Sequence, residues 1–342
     1  METDRFAIPP LSPARVIGLR ESAFAADLFI TAVSYLDFFN RLSERPLDLG
    51  GICRAFNIKE RPADVMLTLF KAYGLLKTKD RKFYLTDTAE SYLTHESGFD
   101  LTSYVSSLKD RPVCLDIEKV LRTGKPANWA AAKTGKDWAA SMADDAFAAG
   151  FTAGMNSRGA YLAGGVMKAI DLTDYKKLLD IGGASGIYAA ALVTAYPRLK
   201  AAVFEKPPVD GVARYSLKKL GLDKKIGVAA GDVFKDRLPG GYDVHFISHV
   251  LHDWDLPEVR TILKNSYENL SPGGIIILHD AHINKARTGP LSVAEYSVLL
   301  MVLSEGKCYS FGEMRELLEE AGFSDVGYKR TILNRSIVIG RK

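Results

Sequence analysis

Five of the six histidines in this 342-residue chain fall between His245 and His282, and only His95 lies elsewhere. Near neutral pH an imidazole does three kinds of work: it ligates metals, takes protons from weak acids, or fills a core. By residue type alone, His279, Asp280 and His282 offer a metal-ligand set. Adjacent strand residues face opposite ways, however, and no HxxxH or HExxH spacing is present, so no metal is expected. His245, His249 and His279 read as packing residues. The remaining possibility is one histidine acting as a general base.

A second chemistry-bearing segment precedes them. Asp180-Ile181-Gly182-Gly183-Ala184-Ser185-Gly186 is the end of a strand running into a glycine-rich turn. Glycine lets a backbone turn tightly and approach a ligand. Glu205 ends the next strand, where a carboxylate accepts both hydroxyls of a ribose. Gly231-Asp232 ends the third, where an acid meets an adenine amino group. The spacing is not the G-x-G-x-x-G that makes room for a pyrophosphate. No lysine followed by serine or threonine closes it as in a P-loop. A nucleoside without phosphates suits such a turn, and S-adenosylmethionine is one.

Elements that alternate must position these residues. Strand-like runs at 177–181, 200–204, 226–230, 242–247 and 274–279 are separated by helix-like runs, which predicts right-handed βαβ units and a parallel sheet. The final runs, 325–333 and 336–340, are joined by a short turn at Asn334-Arg335. Such a turn joins only antiparallel strands, so one reversed strand is expected, unlike a dinucleotide-binding fold. At the N-terminal end Phe24, Leu28, Phe29, Ala32, Val33, Leu36 and Phe39 recur at helical spacing. Shorter helices at 49–56 and 62–73 follow, then two strands around the charged turn Lys79-Asp80-Arg81, which is a winged-helix pattern. Residues 1–105 are thus a winged-helix domain, 106–165 a helical connector, and 166–342 an α/β domain.

In this order the segments DIGGASG (180–186), FEKPPV (204–209), GDVF (231–234), HVLHDWD (249–255), LSPGG (270–274) and EEAGF (319–323) resemble the class I S-adenosylmethionine-dependent small-molecule O-methyltransferases with an N-terminal winged-helix dimerisation domain. The resemblance implies a Rossmann-like seven-stranded sheet with one antiparallel strand. It implies that Asp180, Gly182, Gly183 and Gly186 hold the methionine end of the cofactor, Glu205 the ribose, and Asp232 with Val233 the adenine. Ser248 stands where some plant members carry a cofactor-contacting lysine. It makes His252 the base and Asp280 its acidic support. A phenol ionises near pH 10, and a base of pKa near 7 takes its proton as attack proceeds. Cys308 occupies the position of a second supporting glutamate, which keeps C- and N-methylation open beside O-methylation. A diverged cofactor-binding protein without methyl transfer is the further alternative. Phe151, Met155, Tyr296 and Met301 are the implied acceptor-pocket residues, partly from the connector, and the implied assembly is a homodimer through the N-terminal domain.

Composition narrows the classes. A net charge of +4 and 25% charged residues fit a globular protein and give no reason to expect nucleic acid. Residues 1–105 hold 13 Lys or Arg against 14 Asp or Glu, and the would-be recognition helix offers Lys71 as its one base. A surface so balanced gains little from phosphate. Cys53, Cys114 and Cys308 are odd in number and widely spaced, which suits a reducing compartment. No secretory leader or membrane span is read in the sequence, so a cytoplasmic protein is expected.

Overall fold

The computed structural model describes residues 6–127 and 141–342. The chain divides into two compact units, and the division is not the sequential one expected. One unit holds residues 13–129 together with 283–310; the other holds 1–12, 130–282 and 311–342.

In the first unit the helical run predicted from Phe24 to Phe39 is two helices, Ala25–Ser34 and Phe38–Ser43. Asp37 breaks it by adopting a left-handed backbone (φ 49°), which carbonyl-bearing side chains tolerate best. Leu49–Phe56 is capped by Asp48, whose carboxylate accepts the Gly51 N–H at 2.7 Å. The next helix begins at Glu60 rather than Pro62. Pro62 still falls within the first turn, where a missing N–H leaves no bond unmade. Strands β1 (Leu76–Lys79) and β2 (Lys82–Leu85) pair antiparallel, with Asp80 and Arg81 both at positive φ as a two-residue hairpin turn requires. The apolar helix Leu291–Leu303, far along the chain, packs against Glu60–Ala72 and Ala25–Ser34.

Phe38, Phe39, Phe56 and Phe70 form the centre of this unit, with ring centroids 5.0–5.7 Å apart. Phe38 is fully buried. Phe38→Ala is expected to destabilise the unit by about 3–5 kcal/mol. That appears as a lower urea midpoint at constant slope, and an unmoved midpoint would mean the cluster is not the core.

The second unit is built on a seven-stranded sheet of order β5-β4-β3-β6-β7-β9-β8. Its strands are β3 (Lys177–Ile181), β4 (Lys200–Glu205), β5 (Ile226–Ala230), β6 (Tyr242–Ser248), β7 (Leu270–Asp280), β8 (Ser324–Arg330) and β9 (Ser336–Arg341). β9 runs antiparallel to both neighbours, as expected for the reversed strand. The turn before it centres on Leu333 and Asn334, both at φ 55°, one residue earlier than predicted. Leu178, Val203, Val244, Phe246, Ile277 and Ile337 are among the residues of the buried core. The helix Asp145–Ala169 lies in this unit and carries five glycines. At Gly164 and Gly165 a Cβ would come within 2.5 Å of Phe6 O and Ile332 Cγ1, so close packing dictates both. Among the described residues no helix is long and apolar enough to cross a membrane.

Candidate active site

The sheet's carboxyl edge gathers the chemistry. After β3 the chain turns through Gly182 (φ 68°), Ala184 (φ 48°) and Gly186 (φ 76°) into the helix Ile187–Ala195. A Cβ on Gly182 would lie 2.7 Å from Val250 Cγ2, and one on Gly183 2.5 Å from the Asp180 carboxyl carbon. Neither position admits a side chain. The Asp180 carboxylate beneath the turn is fully buried, and neither oxygen has a hydrogen-bond partner among the described residues. Burial pushes its pKa up to about 7, with the Ala189 amide opposing in part. A buried carboxylate with so little donor support suits a ligand that brings positive charge.

At the end of β4, Glu205 accepts the Ala184 N–H on Oε2 and the Lys206 N–H on Oε1, both at 2.9 Å. Burial raises its pKa. Each oxygen keeps a lone pair for a donor such as a ribose hydroxyl. After β5, Asp232 Oδ1 accepts the Phe234 N–H at 3.0 Å and Oδ2 lies 3.1 Å from Lys206 Nζ. Burial alone would raise its pKa, but these donors hold it below the usual value. The Val233 carbonyl accepts from Asn265 Nδ2 at 2.9 Å.

β6 and β7 run in parallel register, with Ser248 opposite His279. β6 ends there, a single 3₁₀ turn follows at Leu251–Asp253, and Asp255 caps the helix Leu256–Asn269. This turn drops His252 onto the last residue of β7. His252 Nδ1–H donates to Asp280 Oδ1 at 2.6 Å, and both side chains are buried. With the proton on Nδ1, Nε2 is the basic nitrogen; it lies 3.8 Å from Asp253 Oδ1. Burial opposes charge on His252, yet Asp280 and Asp253 raise its pKa above the ordinary value. Asp280 is held well below the usual carboxylate range: burial works against its charge, but His252 and His249 prevail.

His249, His252 and Asp280 present atoms within 4.8 Å of one another, a set that has the types of a metal site. Tetrahedral bonds of about 2.0–2.1 Å hold ligand atoms roughly 3.3 Å apart. The 2.6 Å contact is instead that of a shared proton.

A model of the O-methyltransferase domain matches residues 115–324. The chain belongs to the O-methyltransferase family. The 8-O-methyltransferase TcmO of tetracenomycin polyketide synthesis from Streptomyces glaucescens is 29% identical over 334 residues, 96% of this chain and 97% of its own. An L-tyrosine C(3)-methyltransferase from Streptomyces lavendulae is 26% identical over 330 residues, 93% of this chain and 90% of its own. The solved structure of an O-methyltransferase family 2 protein from Planctomyces limnophilus, in complex with apigenin, matches with a TM-score of 0.88 at 26% identity. The match covers 99% of this chain and 98% of that one.

In this O-methyltransferase the glycine turn, Glu205, Asp232, His252 and Asp280 all lie at one sheet edge, in one compact unit. Ser248 is engaged inward, its Oγ sharing a 2.8 Å hydrogen bond with His279 Nδ1. His245 is bonded to Ser266 Oγ and His282 to Ser336 Oγ, each at 2.8 Å. Phe151 and Met155 sit one helical turn apart on Asp145–Ala169 and are half-buried. Tyr296 and Met301 are buried and belong to the other unit, as does Cys308, whose N–H donates to Ser297 Oγ at 3.0 Å. Sequence reasoning missed Asn156, which accepts from Ser185 Oγ at 2.8 Å and so ties the long helix to the glycine turn. It also missed Asn265, which holds the loop after β5 through the carbonyls of Val233 and Asp236. Both lie among other polar residues on their helices, so the sequence carried no signal for either.

Proposed function

We propose that this O-methyltransferase moves a methyl group from S-adenosylmethionine to a hydroxyl of an aromatic or polyketide-like acceptor, with His252 as general base. The observation that carries the reading is the buried His252–Asp280 pair, two residues from the Val250 that packs on Gly182 of the glycine turn. When bound, S-adenosylmethionine supplies an electrophilic methyl carbon on a sulfonium. Asp180 and the turn take its cationic amino-acid end, Glu205 its ribose, and Asp232 and Val233 its adenine. His252 Nε2 accepts the acceptor's proton as the hydroxyl oxygen attacks, and Asp280 stabilises the imidazolium that forms. Phe151 and Met155 contribute apolar surface for the acceptor ring. The test is transfer from methyl-labelled S-adenosylmethionine to a panel of hydroxylated flavones and polycyclic phenols, with the label located in the product.

C-methylation is the second reading, favoured by the match to a tyrosine C-methyltransferase and by Cys308 at the usual glutamate position. A phenol deprotonated by the same base is also nucleophilic at its ortho carbon. Label on carbon rather than oxygen decides for this reading.

Asp180→Asn is expected to weaken S-adenosylmethionine binding 10-fold or more in calorimetry, since an amide brings no charge to meet the ligand's cation. Affinity within about 2-fold of wild type would remove Asp180 from the site. We further assign the N-terminal unit to a homodimer. Val16, Leu19, Phe99 and Tyr104 there are each more than 70% exposed, apolar side chains that a second copy would bury. Light scattering that returned a monomer would end that assignment.

A further inference from the structure

His249 does not behave as a packing histidine. Its neighbours His245, His279 and His282 each satisfy one ring nitrogen with a serine hydroxyl, whereas His249 Nδ1 has the Asp280 carboxylate beside it and Nε2 is buried with no hydrogen-bond partner among the described residues. A leucine or phenylalanine would fill the same volume without stranding a buried nitrogen. The backbone is strained as well. His249 sits at φ 55°, while its N–H still donates to the His279 carbonyl at 3.0 Å. Strain of this kind persists where surrounding structure enforces it, and it clusters at functional sites.

The consequence of that turn is where the ring goes. His249 Nδ1 lies 3.3 Å from Asp280 Oδ1, the same oxygen that takes the His252 proton at 2.6 Å. The two imidazole centroids are 5.2 Å apart, and the His279 ring meets His249 edge-on at 5.2 Å. We propose that His249 is a positioning residue that shares Asp280 with His252 and thereby limits how strongly that carboxylate holds the proton of the base. The proposal rests on the reading of His252 as the base.

The mechanism is competition for one oxygen. Asp280 Oδ1 already accepts the Ala281 N–H at 2.7 Å. His249 stays neutral, because burial and the nearby Arg158 both oppose its charge. A neutral imidazole can offer Nδ1–H to the carboxylate and draw off part of its charge. Less of that charge then stabilises the imidazolium form of His252, whose pKa stays closer to neutral and whose basic form is more populated at pH 7. The other groups facing His252 are Asp253 from its own turn, Arg158 from the Asp145–Ala169 helix and His282 beyond β7. His279 and Arg335 bear on His282 in turn.

The test reads His252 directly. In ligand-free protein labelled with 13C at histidine ring carbons, the His252 titration is followed by NMR in wild type, His249→Phe, His249→Leu and His249→Asn. The two variants lacking a donor are expected to raise the His252 pKa by about half a pH unit or more, while asparagine, which keeps a donor, restores the wild-type value. The acid limb of kcat/KM with apigenin as acceptor should move alkaline by the same amount. An unmoved His252 titration in whichever donorless variant folds overturns the proposal, even if thermal stability falls, because that pattern describes packing alone. Absence of methyl transfer by the wild-type protein would instead defeat the functional reading, and the NMR titration would still report the coupling.

Discussion

His252→Ala is expected to lower kcat by roughly 10²–10⁴ while S-adenosylmethionine binds within about 3-fold of its wild-type affinity. The split follows from the geometry. His252 reaches its carboxylate at 2.6 Å from a single turn after β6, whereas the glycine turn, Glu205 and Asp232 belong to β3, β4 and β5. Removing the imidazole leaves those residues in place and strands Asp280 without its main partner. Turnover within about 3-fold of wild type would exclude His252 as the base. The pH dependence carries the sign. A raised pKa means that the base is more protonated at neutral pH, so kcat/KM should climb through an acid limb above the ordinary histidine value. Asp280→Asn removes the stabilising carboxylate and should move that limb to lower pH while lowering kcat.

The second large effect is loss of stability on mild acidification. His245 and His279 have pKa values pushed down to about 3, and His282 to about 4, chiefly by burial. In the unfolded chain each titrates near its ordinary value of about 6.5. Below that value the unfolded chain binds more protons than the folded one, so stability present above pH 6.5 drains away as pH falls toward 3–4. At pH 5 the loss is about 2 kcal/mol for each of the three, roughly 6 kcal/mol together. Asp180 works in the opposite direction. Its raised pKa means that the folded state gains a proton as pH falls from about 7, which returns about 2 kcal/mol by pH 5. The remaining deficit is a large share of the 5–15 kcal/mol usual for a domain. Urea midpoints at pH 7, 6 and 5 should therefore decline steadily, and His245→Gln should flatten the decline. A midpoint constant across this range would mean that the three imidazoles accept protons without opening the core.

Much of this site is local in the sequence, and that is why it was legible. Strand-to-turn boundaries at Asp180, Glu205 and Asp232 follow from alternating apolar runs punctuated by glycine, and the structure places all three at one edge. The reversed strand was legible because a short turn permits only one direction. Pairing His252 with Asp280 needed more: the two are 28 positions apart and meet only through the parallel register of β6 and β7. The left-handed backbone of His249 leaves no mark in the sequence, which by itself gives the ring only a packing role. The break at Asp37 was hidden because the apolar pattern continues across it. Least legible was Leu291–Leu303. It is apolar on nearly every side, so periodicity names no face and hence no partner.

That helix has a consequence for synthesis. Its partners, Ala25–Ser34 and Glu60–Ala72, leave the ribosome more than two hundred residues before it does, and the whole seven-stranded sheet except β8 and β9 is translated in the interval. The N-terminal helices must therefore wait with the apolar faces that this helix covers still open, a state in which nascent chains recruit chaperones or stick to one another. A gene cut near residue 130 yields a fragment that waits indefinitely, and the natural seam for exchanging parts between relatives lies at four junctions rather than one.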